Sequence, residues 1–150
     1  MTKSGLAKLV ERRGELITEL FLDELQPGAI VAQPSNRDVG YDFLVSAKNR
    51  LGGINTYAVQ YEATDRPISA TYRVTRDLFD RMTYSNIPML FLVVDVKRNE
   101  IYYALLESDK TSRQSKLRHV PIELKRIDET ETVRLRKRLA SIPQSRVLAG

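Results

Sequence analysis

Apolar residues recur along this chain with two different periods. Across residues 3–25, Leu6, Leu9, Val10, Ile17, Leu20 and Phe21 return at three- and four-residue spacing, which predicts one long amphipathic helix. Gln26-Pro27-Gly28 stops it, because proline cannot continue the helical ladder and glycine opens the left-handed region. From there the period shortens to two. Residues 29–33, 41–48, 56–64, 70–74, 101–106 and 119–124 read as strands separated by turn-forming or charged stretches. Gly52 and Gly53 supply the reversal between residues 41–48 and 56–64. Residues 88–96, Pro-Met-Leu-Phe-Leu-Val-Val-Asp-Val, are nearly continuously apolar and predict a central strand buried on both faces. Two further helices are expected. One covers residues 76–85, with Thr75 as its N-cap and Asp77 near its start; the other covers residues 130–140, with Val133, Leu135 and Leu139 as its apolar positions.

This succession predicts an α/β sandwich, a central mixed sheet flanked by helices. No Gly-x-Gly-x-x-Gly follows a strand and no Gly-Lys-Ser/Thr phosphate loop occurs, so a Rossmann or P-loop unit is not expected. One domain over residues 1–142 with a loose tail at 143–150 accounts for the length. With 42% hydrophobic and 29% charged residues the composition is globular. The absence of cysteine excludes disulfides, thiolate zinc sites and thiol nucleophiles, and fits a cytoplasmic address. The first residues open into a charged amphipathic stretch without the apolar run of a signal peptide, so a soluble, intracellular protein is expected. The net charge of +5 favours an anionic partner. Much of it comes from Lys110, Arg113, Lys116 and Arg118 and from Lys125, Arg126, Arg134, Arg136, Lys137 and Arg138. Singly, each is the solvated face of a loop or helix; together they would suit a phosphate backbone.

Strand alternation sorts the candidate chemistry. Side chains along a strand point to opposite faces, so Asp42 is expected opposite in sense to Tyr41 and Phe43. Ala58, Gln60 and Glu62 share one face of the next strand, and Tyr57, Val59 and Tyr61 share the other. Two neighbouring strands with acidic groups on one face can hold a divalent ion against a phosphodiester.

The runs Arg13-Gly14-Glu15, Val31 to Pro34, Tyr41-Asp42-Phe43-Leu44-Val45 and Val59-Gln60-Tyr61-Glu62 resemble the small nuclease-like domains of the PD-(D/E)XK superfamily, to which restriction enzymes and Holliday-junction resolvases belong. The likeness covers most of the chain, and its motifs are short. It implies a restriction-endonuclease-like fold and a DNA endonuclease dependent on Mg²⁺ or Mn²⁺, in prokaryotic restriction or antiviral defence. DNA, with RNA as an alternative, would be the substrate, and a homodimer or a partner protein of a defence system the assembly. By the same resemblance Asp42 is the metal-binding aspartate, Gln60 opens the (D/E)XK half-motif in its Gln-x-Lys form, the main-chain carbonyl of Tyr61 is a further metal ligand, and Glu15 is the acid of the first helix, with Glu19 its alternative.

Glu62 is the departure, standing where the superfamily carries lysine. A carboxylate cannot supply positive charge to a phosphorane-like transition state; it could bind a second metal or take a proton from water. It could equally mark a domain that kept the shape and lost catalysis, serving as a nucleic-acid-binding or protein-assembly module. Bland readings stand beside each residue: Asp42 capping local backbone donors, Glu15 and Glu19 on a solvated helix face, Gln60 and Glu62 on an exposed sheet face. Lys48 shares the parity of Asp42 and could replace the lysine, although a turn lysine is the better reading. His119, the sole histidine, has no clustered partners and is read as structural or exposed.

Overall fold

A computed structural model describes residues 3–35, 40–107 and 118–141. The elements are α1 (Lys3–Leu25), β1 (Ile30–Ala32), β2 (Phe43–Lys48), β3 (Ile54–Thr64), β4 (Thr71–Thr75), α2 (Arg76–Thr83), β5 (Met89–Asp95), β6 (Glu100–Leu106), β7 (His119–Glu123), β8 (Lys125–Arg126) and α3 (Glu129–Ser141). Six strands form one sheet in the order β1-β2-β3-β5-β6-β8. Neighbours are antiparallel except β3 and β5, which run parallel, as a crossover through β4 and α2 requires. The expected α/β class with a central mixed sheet is therefore present. The strands expected at residues 70–74 and 119–124 do not join it. As β4 and β7 they form a separate antiparallel pair, and each buries only one of its five residues fully, a pattern suited to a covering layer and not to a sheet centre.

The core has two layers divided by the sheet. All seven residues of β5 are buried. Leu90, Leu92 and Val94 pack with Phe21, Leu22 and Leu25 of α1 and Leu135 and Leu139 of α3, while Phe91 and Val93 pack with Val74, Met82 and Ile122 on the other side. α1 crosses the sheet closely at Gly14, where a Cβ would lie 2.4 Å from the Cβ of Ala63.

Side chains close the helix ends that the backbone leaves open. Thr75 caps α2 as expected, its hydroxyl accepting from the Leu78 amide at 3.2 Å. Buried Asn55 of β3 donates to the Leu139 carbonyl of α3 at 3.0 Å. Arg136 of α3 donates through Nε to the Leu25 carbonyl of α1 at 2.6 Å. Tyr103 of β6 donates to Glu131 of α3 at 2.6 Å, and burial followed by that carboxylate pushes the phenol up to about 12.

These contacts revise the basic stretch. Arg136 is committed to the end of α1, Arg126 pairs with Glu100 at 3.3 Å, and Arg134 pairs with Glu131. Lys125 and Arg126 form β8, an edge strand that the sequence did not signal because two adjacent charges carry no apolar alternation. Lys110, Arg113, Lys116 and the tail at 143–150 lie outside the described residues. Among the described residues no helix is long and apolar enough to cross a membrane.

Candidate functional site

β2 begins at Phe43, one residue after Asp42. Asp42 was expected inside the strand; instead it stands at the fork where the β2–β3 ladder ends. Its amide donates to the Val59 carbonyl at 2.8 Å, and its Oδ2 accepts from the Tyr61 amide at 2.9 Å. The carboxylate thus takes the place of a ladder carbonyl. The alternation fails at this point as well, since Phe43 lies in the α1 layer and Tyr41 packs on the opposite one. Asp42 thus caps a backbone donor, but one of the neighbouring strand and not a local one as expected, and the same carboxylate also borders a cleft.

That cleft, about 520 Å³, lies between α1 and the β2–β3 fork. Glu11, Glu15, Asp42 and Tyr61 line it, with Lys8 and Arg12 at the α1 side. Glu11 accepts from the Tyr61 hydroxyl at 2.9 Å, and Glu15 pairs with Arg12. Burial raises the Tyr61 phenol far above the ordinary tyrosine value, and the hydrogen bond to Glu11 and the charges of Glu11, Asp42 and Glu15 raise it further. Tyr61 is therefore a hydrogen-bond donor at any physiological pH and not a phenolate. Of the two helix acids, Glu15 lies in the cleft with Asp42, and Glu19 is not among its lining residues.

Gln60 and Glu62 point the other way. Tyr57, Val59 and Tyr61 belong to the α1 layer and Ala58 to the opposite layer, so by strand parity Gln60 and Glu62 belong with Ala58. Glu62 there accepts a hydrogen bond from the Tyr72 hydroxyl of β4, and Tyr72 rests on Phe91 with ring centroids 5.9 Å apart. Burial and then the bond to Glu62 raise the Tyr72 phenol above its ordinary value. The expected set is thus divided, with Glu15 on the α1 side, Glu62 on the β4 side and Asp42 at the strand ends between them. Asp42 lies just beyond the last register pair, Phe43 with Val59, and its amide shares the Val59 position with Phe43 instead of pairing with Gln60. Among the described residues no three Asp, Glu or His side chains form a group that could hold a metal ion.

Lys48 lies at the far end of β2, paired with Ile54 beside the turn, so it does not reach Asp42. His119 is exposed at the start of β7. Two participants were not singled out by sequence reasoning, Glu11 and Tyr72. The helical spacing of Glu11 and Glu15 was a signal for the first; nothing in the sequence announced that β4 would cover Glu62. Comparison with family models, curated proteins and solved structures finds no match to this chain.

Proposed function

We propose that this chain is a restriction-endonuclease-like domain that hydrolyses phosphodiester bonds of DNA with Mg²⁺ or Mn²⁺. The observation that carries the reading is Asp42 at the β2–β3 fork, fixed by the Tyr61 amide and sharing one cleft with Glu15 of α1. The helix, the three antiparallel strands and the parallel β5 reached through α2 follow the succession that the resemblance implies. Electrostatics adds support. The cleft's three carboxylates outnumber its two cations, Lys8 and Arg12, so a phosphodiester is repelled unless a cation intervenes.

The available donors are carboxylate oxygens, the class that Mg²⁺ and Mn²⁺ take. Asp42 and Glu15, the acids that share the cleft, would hold the ion, which would polarise a phosphoryl oxygen and acidify a bound water, whereas Gln60 and Glu62 face the opposite layer. The protein's own groups do the rest. The Tyr61 amide fixes the Asp42 carboxylate. Glu11 keeps Tyr61 in place.

A second reading, a nuclease-shaped binding module without catalysis, is favoured by the hydrogen bond from Tyr72 to Glu62 in the lysine position. Cleavage of supercoiled and linear DNA by wild type, Asp42→Asn and Glu62→Lys separates the two. Under the enzyme reading, Asp42→Asn keeps a hydrogen-bond acceptor for Tyr61 but loses more activity than the about 10- to 100-fold typical of an outer-shell partner. Mg²⁺ or Mn²⁺ also raises the melting temperature of wild type more than that of the variant. Inert wild type and inert Glu62→Lys, with no metal-dependent shift, would establish the binding module instead.

A further inference from the structure

α1 carries two apolar stripes, and the sheet uses only one. Gly14, Thr18, Phe21, Leu22 and Leu25 are buried against the sheet. Leu6, Leu9, Leu16 and Leu20 are 52%, 49%, 42% and 66% exposed. With Arg13 between them, these four recur at spacings of three and four, the seam of a helix that pairs with another helix. The stripe spans about 21 Å at 1.5 Å per residue. Next to Leu20 it runs into a groove of about 470 Å³ whose walls include Ile17, Ile101 and Ile127.

The charges on α1 indicate what covers it. Lys8, Arg12 and Arg13 lie in the N-terminal half, whereas Glu15, Glu19, Asp23 and Glu24 lie in the C-terminal half, which contains no basic residue. The first turn has no acid and the last turn no base. Such an arrangement opposes the helix dipole, which favours acids at the N-terminus and bases at the C-terminus. An antiparallel neighbour with the same sequence reverses the penalty, because its acidic half then lies beside the basic half and the two dipoles also oppose.

We propose that α1 is a self-association surface on which two copies of the chain pair antiparallel about a two-fold axis. The register follows from the stripe. Leu6 meets Leu20 of the second copy, Leu9 meets Leu16, and Arg13 lies at the axis with its stem along the leucines and its guanidinium in water. Lys8 then faces Glu19 across the seam, while Arg12 stays paired with Glu15 of its own helix. Parallel pairing would set Lys8 against Lys8 and Glu19 against Glu19. Lys8 and Arg12 also border the cleft, so association and not cleavage is the readout that tests the pairing.

Sedimentation equilibrium and light scattering of the full chain test it. Wild type is a dimer, and Leu9→Lys with Leu16→Lys gives a folded monomer with unchanged circular dichroism, since both positions are exposed. Glu19→Lys weakens the dimer about tenfold, the scale of losing two symmetry-related exposed ion pairs, and adding Lys8→Glu to the same chain restores it. Because the chain has no cysteine, single cysteines report the direction. Arg13→Cys oxidises to a covalent dimer and Leu20→Cys does not. A wild type that stays monomeric at its highest soluble concentration overturns the proposal. So does cross-linking through Leu20→Cys, which would mean parallel pairing, or association that survives the paired leucine substitutions.

Discussion

At the scale of single residues, Gly14 shows how a tertiary contact overrides a local preference. In a helix interior alanine is favoured over glycine by about 1 kcal/mol, so propensity alone makes Gly14→Ala stabilising. The contact with Ala63 reverses the sign. A Cβ at 2.4 Å from the Ala63 Cβ forces α1 away from β3, and overpacking of this kind costs about 1 to 3 kcal/mol. Gly14→Ala is expected to lower the urea midpoint with an unchanged slope, and Ala63→Gly in the same chain to recover part of the loss, the coupling expected of residues in contact. The glycine was visible in Arg13-Gly14-Glu15; the strand residue that demands it was not, because it lies far along the chain. Asp42 and Glu62 divide in the same way. Their positions in sequence were plain, but the groups that engage them, the Tyr61 main-chain amide and the Tyr72 hydroxyl, are brought to them only by the fold.

At the scale of elements, hydrophobic period located every helix and most strands to within a few residues, β5 above all, where both faces are buried. It could not decide which stripe of α1 meets the sheet, because Leu6 and Leu20 satisfy the period as well as Phe21 does. Nor could it see where β2 starts, which depends on a side chain standing in for a backbone carbonyl. The β5–β6 connection is likewise held by one side chain. Oδ1 of Asp95 accepts from the Lys97 and Arg98 amides at 3.0 and 3.1 Å, and Oδ2 accepts from the Arg98 guanidinium at 2.9 Å. The tightness of the turn appears in Asn99, whose φ is 54°. Burial by itself raises the Asp95 carboxyl, but the Arg98 side chain and the two amides outweigh it and leave the group below its ordinary value of 3.8. A depressed folded-state pKa stabilises the fold above the unfolded value, and that contribution disappears as pH falls through the folded one. Asp95→Asn is therefore expected to lower stability at neutral pH by about 1.5 to 3 kcal/mol, the range for hydrogen bonds to charged groups. Denaturation series should show the gap between wild type and variant closing progressively below about pH 4.

At the scale of the whole molecule, the class was legible because a buried central strand, alternating neighbours and amphipathic helices admit few arrangements. The distribution of charge was not. Net charge is a sum over residues, and several of the terms that suggested a phosphate footprint serve structure instead: Arg136 closes α1, while Arg126 and Arg134 face acids. A binding surface inferred from composition must first be relieved of such internal commitments.

The sheet ends on strands of three and two residues, β1 and β8. Every open sheet offers unpaired amides and carbonyls to any extended chain that drifts past, and proteins blunt such margins with brevity and charge. β8 consists of nothing but Lys125 and Arg126, both exposed. Their service is then protective, keeping the long apolar strands behind them from recruiting further copies into fibrils. Lys125→Val together with Arg126→Val should leave the melting temperature close to that of wild type, since exposed positions contribute about 0.5 kcal/mol or less. On prolonged incubation the variant should gain turbidity and thioflavin fluorescence that wild type lacks. Equal solubility of the two proteins would mean that the brevity of the strand alone guards that margin.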